Sequence, residues 1–172
     1  HTLMTQIPAE SMGLPTEAVT FVLGDTTLPE SPIQGGSWTA ASVGSSVLEA
    51  CTKLGEALLK QAQKMDHPAF SGVKIEDVEF ANGQLRLRAD TTQAIVLRDV
   101  VQASGEPKIE AENSTILAKL EMLKPPKYSM HAHNAVFVEV KVDPDLMTVH
   151  VTRVVNAVAA GRILNPKTAR IQ

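Results

Sequence analysis

Aromatic residues are scarce in this chain: Phe, Trp and Tyr together make up 3% of its 172 residues. Any core must therefore be filled by Val, Leu, Ile and Ala. Cysteine is scarcer still. Cys51 stands alone, which excludes a disulfide within the chain and any iron–sulfur or zinc site built from several thiolates. An excess of one charge is also missing: 16 Lys and Arg face 19 Asp and Glu, with no long basic run, so the electrostatic footprint of a nucleic-acid binder is absent. No apolar run approaches the roughly 20 residues that span a bilayer, and no charged-then-apolar signal pattern opens the residues. There is no P-loop, no dinucleotide-binding glycine fingerprint, no nucleophile elbow and no zinc signature. What remains is 44% hydrophobic and 20% charged, the composition of a chain with a real core, and long enough for one domain or part of a larger one.

The hydrophobic spacing predicts a helix over residues 2–12, with Leu3, Ile7 and Met12 on one face. Pro8 removes a backbone donor there, so the helix is expected to begin near Met4 or to kink. Residues 19–23, short and rich in β-branched side chains, read as a strand. A loop over residues 26–38 carries Pro29, Pro32, Gly35 and Gly36, and a long amphipathic helix follows from Ala40 to Met65. Val43, Val47, Ala50 or Cys51, Leu54, Leu58 and Ala62 form its apolar stripe, and Lys53, Glu56, Lys60 and Lys64 its outer face.

The second part reads differently. Val78-Glu79-Phe80, then Asn82-Gly83, then Leu85 to Arg88 spell a hairpin with a primed turn. A short helix is expected over residues 92–102 and a strand over 109–112. Lys124-Pro125-Pro126-Lys127 reads as a rigid extended linker. Residues 130–142 alternate, with Met130, Ala132, Asn134, Val136, Val138 and Val140 on one side. A strand over 146–155 joins them through Asp143-Pro144-Asp145. Asn165-Pro166 opens a final helix. There is no internal repeat. The expected class is α+β: two long helices packed on mixed and antiparallel strands, in a single unit with a helix–strand–helix half (1–66) and a β-rich half (67–172).

The stretch with most chemical potential runs from Gln34 through Gly35, Gly36, Ser37, Trp38, Thr39, Ala40, Ala41, Ser42 and Val43 to Gly44. Two glycines admit a close ligand, hydroxyls accompany them, and a helix begins there with unpaired N–H groups and partial positive charge, the elements of a phosphate site. The same pattern also describes a flexible loop capped by Ser37 or Thr39. His131 and His133, two residues apart on a strand, could share a metal, but no third ligand lies nearby and ordinary histidines fit as well. Glu106, in Ser104-Gly105-Glu106-Pro107, fits a turn better than a general base. Cys51 sits on the apolar stripe and reads as core. No residue is assigned a catalytic or metal-ligating role.

Several segments, taken in order, resemble the molybdopterin-binding large subunit of the molybdenum hydroxylases, the family of xanthine dehydrogenase and aldehyde oxidase. They are His1-Thr2 with Gln6-Ile7 and Leu14-Pro15; Val19 through Gly24-Asp25-Thr26; Gly35-Gly36-Ser37 with Thr39-Ala40-Ala41-Ser42-Val43-Gly44; Phe137-Val138-Glu139-Val140 with Val142-Asp143; and Gly161-Arg162-Ile163-Leu164-Asn165-Pro166 running to Gln172. The resemblance covers nearly the whole chain. Each motif is loose, and the ordered set is specific.

The resemblance implies a molybdenum ion held by the dithiolene of a pterin, in bacteria often as the cytosine dinucleotide. The implied reaction is oxidation of aldehydes to carboxylic acids, or hydroxylation of xanthine and other N-heterocycles, with iron–sulfur clusters and FAD on partner domains or subunits. It assigns cofactor contacts to Gly36, Ser37, Thr39, Ala40, Ala41, Ser42, Val43 and Gln172. The expected setting is the cytoplasm, with the periplasm as the alternative, and the expected partners are the rest of a large subunit and its iron–sulfur and flavin subunits.

The sequence also departs from the family pattern. The family's Gly-x-Gly-Glu stretch, with its catalytic glutamate, lies beyond these residues, and Glu106 is no substitute for it. The Gln-Gly pair expected before His1 is absent, Ala159 stands where an acidic residue is common, and Pro8 interrupts the first helix. A fragment of the large subunit is therefore expected: inactive alone, prone to self-association through exposed apolar surface. The alternative is a non-catalytic scaffold that kept the fold.

Overall fold

In the computed structural model, which describes residues 2–31, 35–113 and 131–171, the chain divides into two compact units, residues 1–121 and 122–172. The first is built on two helices. α1 (Thr2–Met12) buries Met4, Ala9 and Met12. Leu3 and Ile7 are only half-buried, so the buried face is rotated from the Leu3–Ile7 stripe the spacing suggested, although Ile7 still reaches toward Gly44 of the second helix. Pro8 lies inside α1, and the helix nevertheless starts at Thr2. In so short a helix the missing donor leaves a single carbonyl, that of Met4, without its usual partner.

α2 (Thr39–Ala62) follows its sequence pattern closely. Cys51, Leu58, Leu59 and Ala62 are buried, and Lys53, Glu56 and Lys60 are exposed. Its small positions matter as much as its large ones. A side chain at Gly44 would meet the Ile7 Cδ1 at 3.2 Å, and one at Gly55 would meet the Phe80 ring at 3.0 Å. These gaps let α1 and the sheet approach the helix closely.

Strands β1 (Val78–Ala81), β2 (Gln84–Leu87) and β3 (Ala94–Val96) form an antiparallel sheet in the order β1-β2-β3. The β1–β2 turn is Asn82-Gly83, with φ of 52° and 69°. Both central residues are left-handed, as a primed turn demands. β3 and the helix after it, α3 (Leu97–Ala103), replace the single helix expected over 92–102. The first part of that stretch pairs with β2, Leu85 opposite Ile95, and a cross-strand ladder outweighs local helix preference. Phe70, Leu85 and Val100 are fully buried, each contributing about 1.5–3 kcal/mol of transfer free energy. The helical first 66 residues and the hairpin at 78–87 share this one core.

Two expected strands are not strands. Residues 19–23 join no ladder among the described residues, and Val22 and Leu23 are exposed. Residues 109–112 also form no ladder among the described residues. β-Branched sequence favours an extended backbone, but a strand requires a neighbour to take its hydrogen bonds. The Lys124–Lys127 linker and Met130 lie outside the described residues.

The second unit contains a long hairpin, β4 (His133–Asp143) and β5 (Thr148–Ala159), followed by the short helix α4 (Pro166–Ala169). The Asp143 carboxylate accepts the N–H groups of Asp145 and Leu146, both at 3.0 Å, and closes the turn. Asn165 caps α4 by accepting the N–H groups of Lys167 and Thr168. The register shifts by one residue, so that Glu139 faces Arg153 but Val140 faces Val151, and Thr152 is the extra residue. Thr152 is held by Glu139, donating its hydroxyl to the Glu139 carboxylate at 2.8 Å.

The bulge decides where the valines go. Residues directly opposite share a face, so Val154, Val151 and Val149 stand opposite Val138, Val140 and Val142 despite the odd spacing of Val151 and Val154, and Val136 and Val158, opposite Asn156 and Asn134, lie on the same face. All eight are exposed. A two-stranded ribbon with an uncovered apolar face is marginal in water. The purified 172-residue chain is therefore expected to self-associate in light scattering. Lysine at both Val138 and Val154, a facing pair, should return it to a monomer. A wild-type chain that is monomeric at high concentration would contradict this.

Candidate anion site at the start of the long helix

The loop before α2 is built from unusual backbone. Gly36 and Ser37 both have positive φ, 52° and 59°, and Trp38 follows at −92° in the right-handed region. A left-handed residue is routine for glycine and costs about 1–2 kcal/mol for serine. Such strain, held in place by the surrounding chain, concentrates at ligand sites. A left-handed-to-right-handed step also turns successive N–H groups toward one concavity, the arrangement that binds anions.

Neither Ser37 nor Thr39 caps α2. The N-cap residue is Trp38, and it makes no side-chain cap bond. Its carbonyl accepts the N–H groups of Ala41 at 2.9 Å and Ser42 at 3.0 Å, and the Ser42 hydroxyl at 3.2 Å. Those two backbone donors are therefore engaged. The N–H groups of Thr39 and Ala40 meet no acceptor among the described residues. The Thr39 Oγ1 is buried without a hydrogen-bond partner, and a buried hydroxyl left so costs about 1–3 kcal/mol. The space before the loop is open: a side chain at Gly35 or Gly36 would meet nothing within 4 Å. Two idle N–H groups, an orphan hydroxyl and a positive helix end make a donor set that fits a phosphate-bearing ligand.

Beside this loop, a groove of about 610 Å³ lies between α2 and the extended segment before it, with Val22, Leu23, Leu28, Val43, Val47 and Ala50 on its walls. Of the residues singled out from sequence, Val43 turns its side chain here. One rim is pinned by Asn113, whose amide donates to Glu49 at 2.7 Å and to Ser46 at 3.1 Å, and whose carbonyl accepts Lys53 at 2.9 Å. On the groove wall, Asp25 accepts the backbone N–H and the hydroxyl of Thr27, which hold its carboxyl below the usual range.

The other candidates behave as ordinary structure. Gln172 and His1 lie outside the described residues. His131 precedes β4 rather than sharing its face with His133, and no group of three metal-capable side chains occurs among the described residues. Glu106 is exposed in a turn fastened by its N–H to the Ser104 hydroxyl. Burial pushes the Cys51 thiol upward, only partly offset by a hydrogen bond with Ser11, so it is a core residue. It should resist alkylation at pH 8 in the folded chain and react when urea is added; rapid labelling of the native chain would refute its placement.

Two residues had no role assigned from sequence, Trp38 within the Gln34–Gly44 stretch and Gly13 outside it. Trp38, the only tryptophan, stands 53% exposed at the head of α2. Gly13, with φ of 59°, packs against β1 so closely that an added Cβ would lie 2.3 Å from the Ala81 Cα. The first had a signal, a large aromatic between the hydroxyls before a long helix. The second had none.

A family model described as a molybdopterin cofactor-binding domain matches residues 1–172, the whole chain. The chain belongs to that family. The molybdenum-binding subunit of the aldehyde oxidoreductase of Escherichia coli, PaoC, is 34% identical over all of this domain, which spans 21% of that subunit's length. The gamma subunit of the 6-hydroxypseudooxynicotine dehydrogenase complex of Paenarthrobacter nicotinovorans is 25% identical, again with the whole domain aligned to 21% of the subunit. In fold, the domain is similar to CO dehydrogenase from Oligotropha carboxidovorans, with a TM-score of 0.72 at 20% identity, covering 98% of the domain and 20% of that chain. The α+β architecture is thus that of a molybdopterin-binding domain. No helix among the described residues is long and apolar enough to cross a membrane.

Proposed function

We propose that the domain holds the phosphate-bearing tail of a pterin cofactor at the loop before α2, as part of a larger molybdenum-dependent hydroxylase that oxidises aldehydes to carboxylic acids. The observation that carries this reading is the donor set at residues 36–40: a strained left-handed pair, two idle N–H groups and an orphan hydroxyl at a helix start. The backbone of Gly36, Ser37, Thr39 and Ala40 would face phosphate oxygens, with the Thr39 hydroxyl donating to one of them. Ala41 and Ser42 would shape the turn through their bonds to the Trp38 carbonyl, Val43 would close the neighbouring apolar wall, and Gln172 would make a separate contact. The chemistry supplied by the bound group is oxygen transfer from water to the aldehyde carbon. The domain's own share is to bind and orient that group through fixed N–H donors, which need no reorganisation on binding.

The aldehyde reading is supported by the identity with the aldehyde oxidoreductase subunit across the entire domain. N-heterocycle hydroxylation is the second reading, supported more weakly by the 25% identity with the 6-hydroxypseudooxynicotine dehydrogenase subunit. The cytosine dinucleotide form of the cofactor, partner subunits with iron–sulfur clusters and FAD, and a cytoplasmic setting complete the proposal. The test is purification of the protein with its neighbouring subunits, followed by molybdenum and pterin analysis and assay with aromatic and aliphatic aldehydes. Stoichiometric molybdenum with aldehyde turnover is expected, and the 172-residue chain alone should show no turnover. A complex free of pterin would defeat the proposal and favour a scaffold that kept the fold without the cofactor.

A further inference from the structure

We infer that Trp38 is a stacking platform for the planar heterocycle of the pterin cofactor, and so fixes the ring as the neighbouring N–H groups fix the phosphates. This inference rests on the anion site proposed above and adds a residue to it.

Trp38 is the N-cap residue of α2, so its side chain leaves the chain directly beside the idle N–H groups of Thr39 and Ala40. Its backbone is clamped: the N–H donates to the Gly35 carbonyl at 3.2 Å, and the carbonyl accepts from Ala41 and Ser42. The root of the indole is therefore held still relative to the donors. The indole itself is half exposed, in a chain whose aromatic share is 3%. Leaving half of the only indole in water forgoes apolar burial. A side chain at the adjoining Gly35 or Gly36 would meet nothing within 4 Å. A ligand with an anionic tail and a flat ring matches this pairing of donors and aromatic face. Stacking of a planar heterocycle on an aromatic side chain needs only a π-face, which the pterin ring offers.

The single tryptophan supplies the readout. The cofactor-free 172-residue chain is titrated with molybdopterin, with its cytosine dinucleotide, and with pyrophosphate as a ringless control, while Trp38 emission is followed. Both pterin ligands should quench the emission saturably, and pyrophosphate should not. Equal quenching by the two supports stacking of the pterin on the indole; quenching by the dinucleotide alone would assign the indole to the nucleobase and overturn the inference. Calorimetry on W38A should show pterin-ligand affinity reduced by about tenfold or more and pyrophosphate affinity unchanged, with W38F in between. Unchanged circular dichroism melting of W38A separates the effect from misfolding. Equal affinity of W38A and wild type for the pterin ligands would overturn the stacking and leave the anion site standing. Failure of the wild type to bind any of the three would overturn the site, and the inference with it.

Discussion

Ala40→Asp should strip the cofactor from the assembled protein while leaving the cofactor-free fold slightly more stable. Ala40 is exposed at the second position of α2, and its N–H has no acceptor among the described residues. A carboxylate there can fold back on the idle donors and supply the negative charge the helix end favours. Acidic residues in the first turn stabilise a helix by about 0.3–1 kcal/mol. The same carboxylate competes with a phosphate for those donors and repels it. Hydrogen bonds to charged groups contribute about 1.5–3 kcal/mol each, so losing two of them lowers affinity by about a hundredfold or more. Molybdenum and pterin content of the purified complex should fall to a small fraction of wild type, and the melting temperature of cofactor-free protein should hold or rise. Ala40→Lys should lower that melting temperature and keep cofactor content at the wild-type level. The opposite signs in Ala40→Asp are the point: a merely structural role for this turn would move stability and cofactor content together. Full cofactor content in Ala40→Asp would remove residues 36–40 from the site.

Gly13→Ala should destabilise the first unit by about 3 kcal/mol or more, against about 1 kcal/mol for Gly83→Ala. Both glycines have positive φ, so both substitutions carry the left-handed cost of about 1–2 kcal/mol. They differ in space. At Gly83 the nearest atom to an added Cβ is the flexible Leu14 Cδ2 at 3.9 Å. At Gly13 the Cβ would sit 2.3–2.4 Å from backbone atoms of Phe80 and Ala81. Backbone in a paired strand cannot yield as a side-chain end does, and overpacking adds about 1–3 kcal/mol. The junction would have to open, because the Gly13 carbonyl also accepts the Gly83 N–H at 2.9 Å. Since domains are stable by only about 5–15 kcal/mol, the loss should be plain in urea titrations followed by helical circular dichroism. Both long helices belong to the first unit. Equal destabilisation by the two substitutions would mean that α1 and β1 do not meet as described.

Much of the fold was readable because its cause is local. The stripe from Val43 to Ala62 repeats at the helical period and α2 follows it. Asn82-Gly83 is one of the few pairs that favour a primed turn, and the ladder Val78–Leu87 to Ala81–Gln84 closes around it. Asn165 before Pro166 combines a side-chain acceptor with a residue that needs no donor, and it caps α4. The misreadings fall where distant partners decide. Residues 19–23 have strand composition but join no ladder among the described residues, whereas Ala94–Val96 pair with β2 and leave the helix. At the candidate site the glycines, the hydroxyls and the helix start were visible in sequence. Which donors stayed unpaired was not, because that depended on Trp38 taking the cap position and offering its carbonyl to Ala41 and Ser42.

The amino-acid sequence alone determined where the long helix runs, where the tight turns fall and which ordered motifs mark a molybdopterin-binding domain. These are properties of neighbours within a few residues, where periodicity and backbone preference act directly. Tertiary structure decided the valine face created by the Thr152 bulge, the contact that only a glycine at position 13 allows, and the idle N–H groups of Thr39 and Ala40. The first two depend on pairing or packing between separate segments, and the third on the backbone conformation of Gly36, Ser37 and Trp38, which residue type alone does not fix.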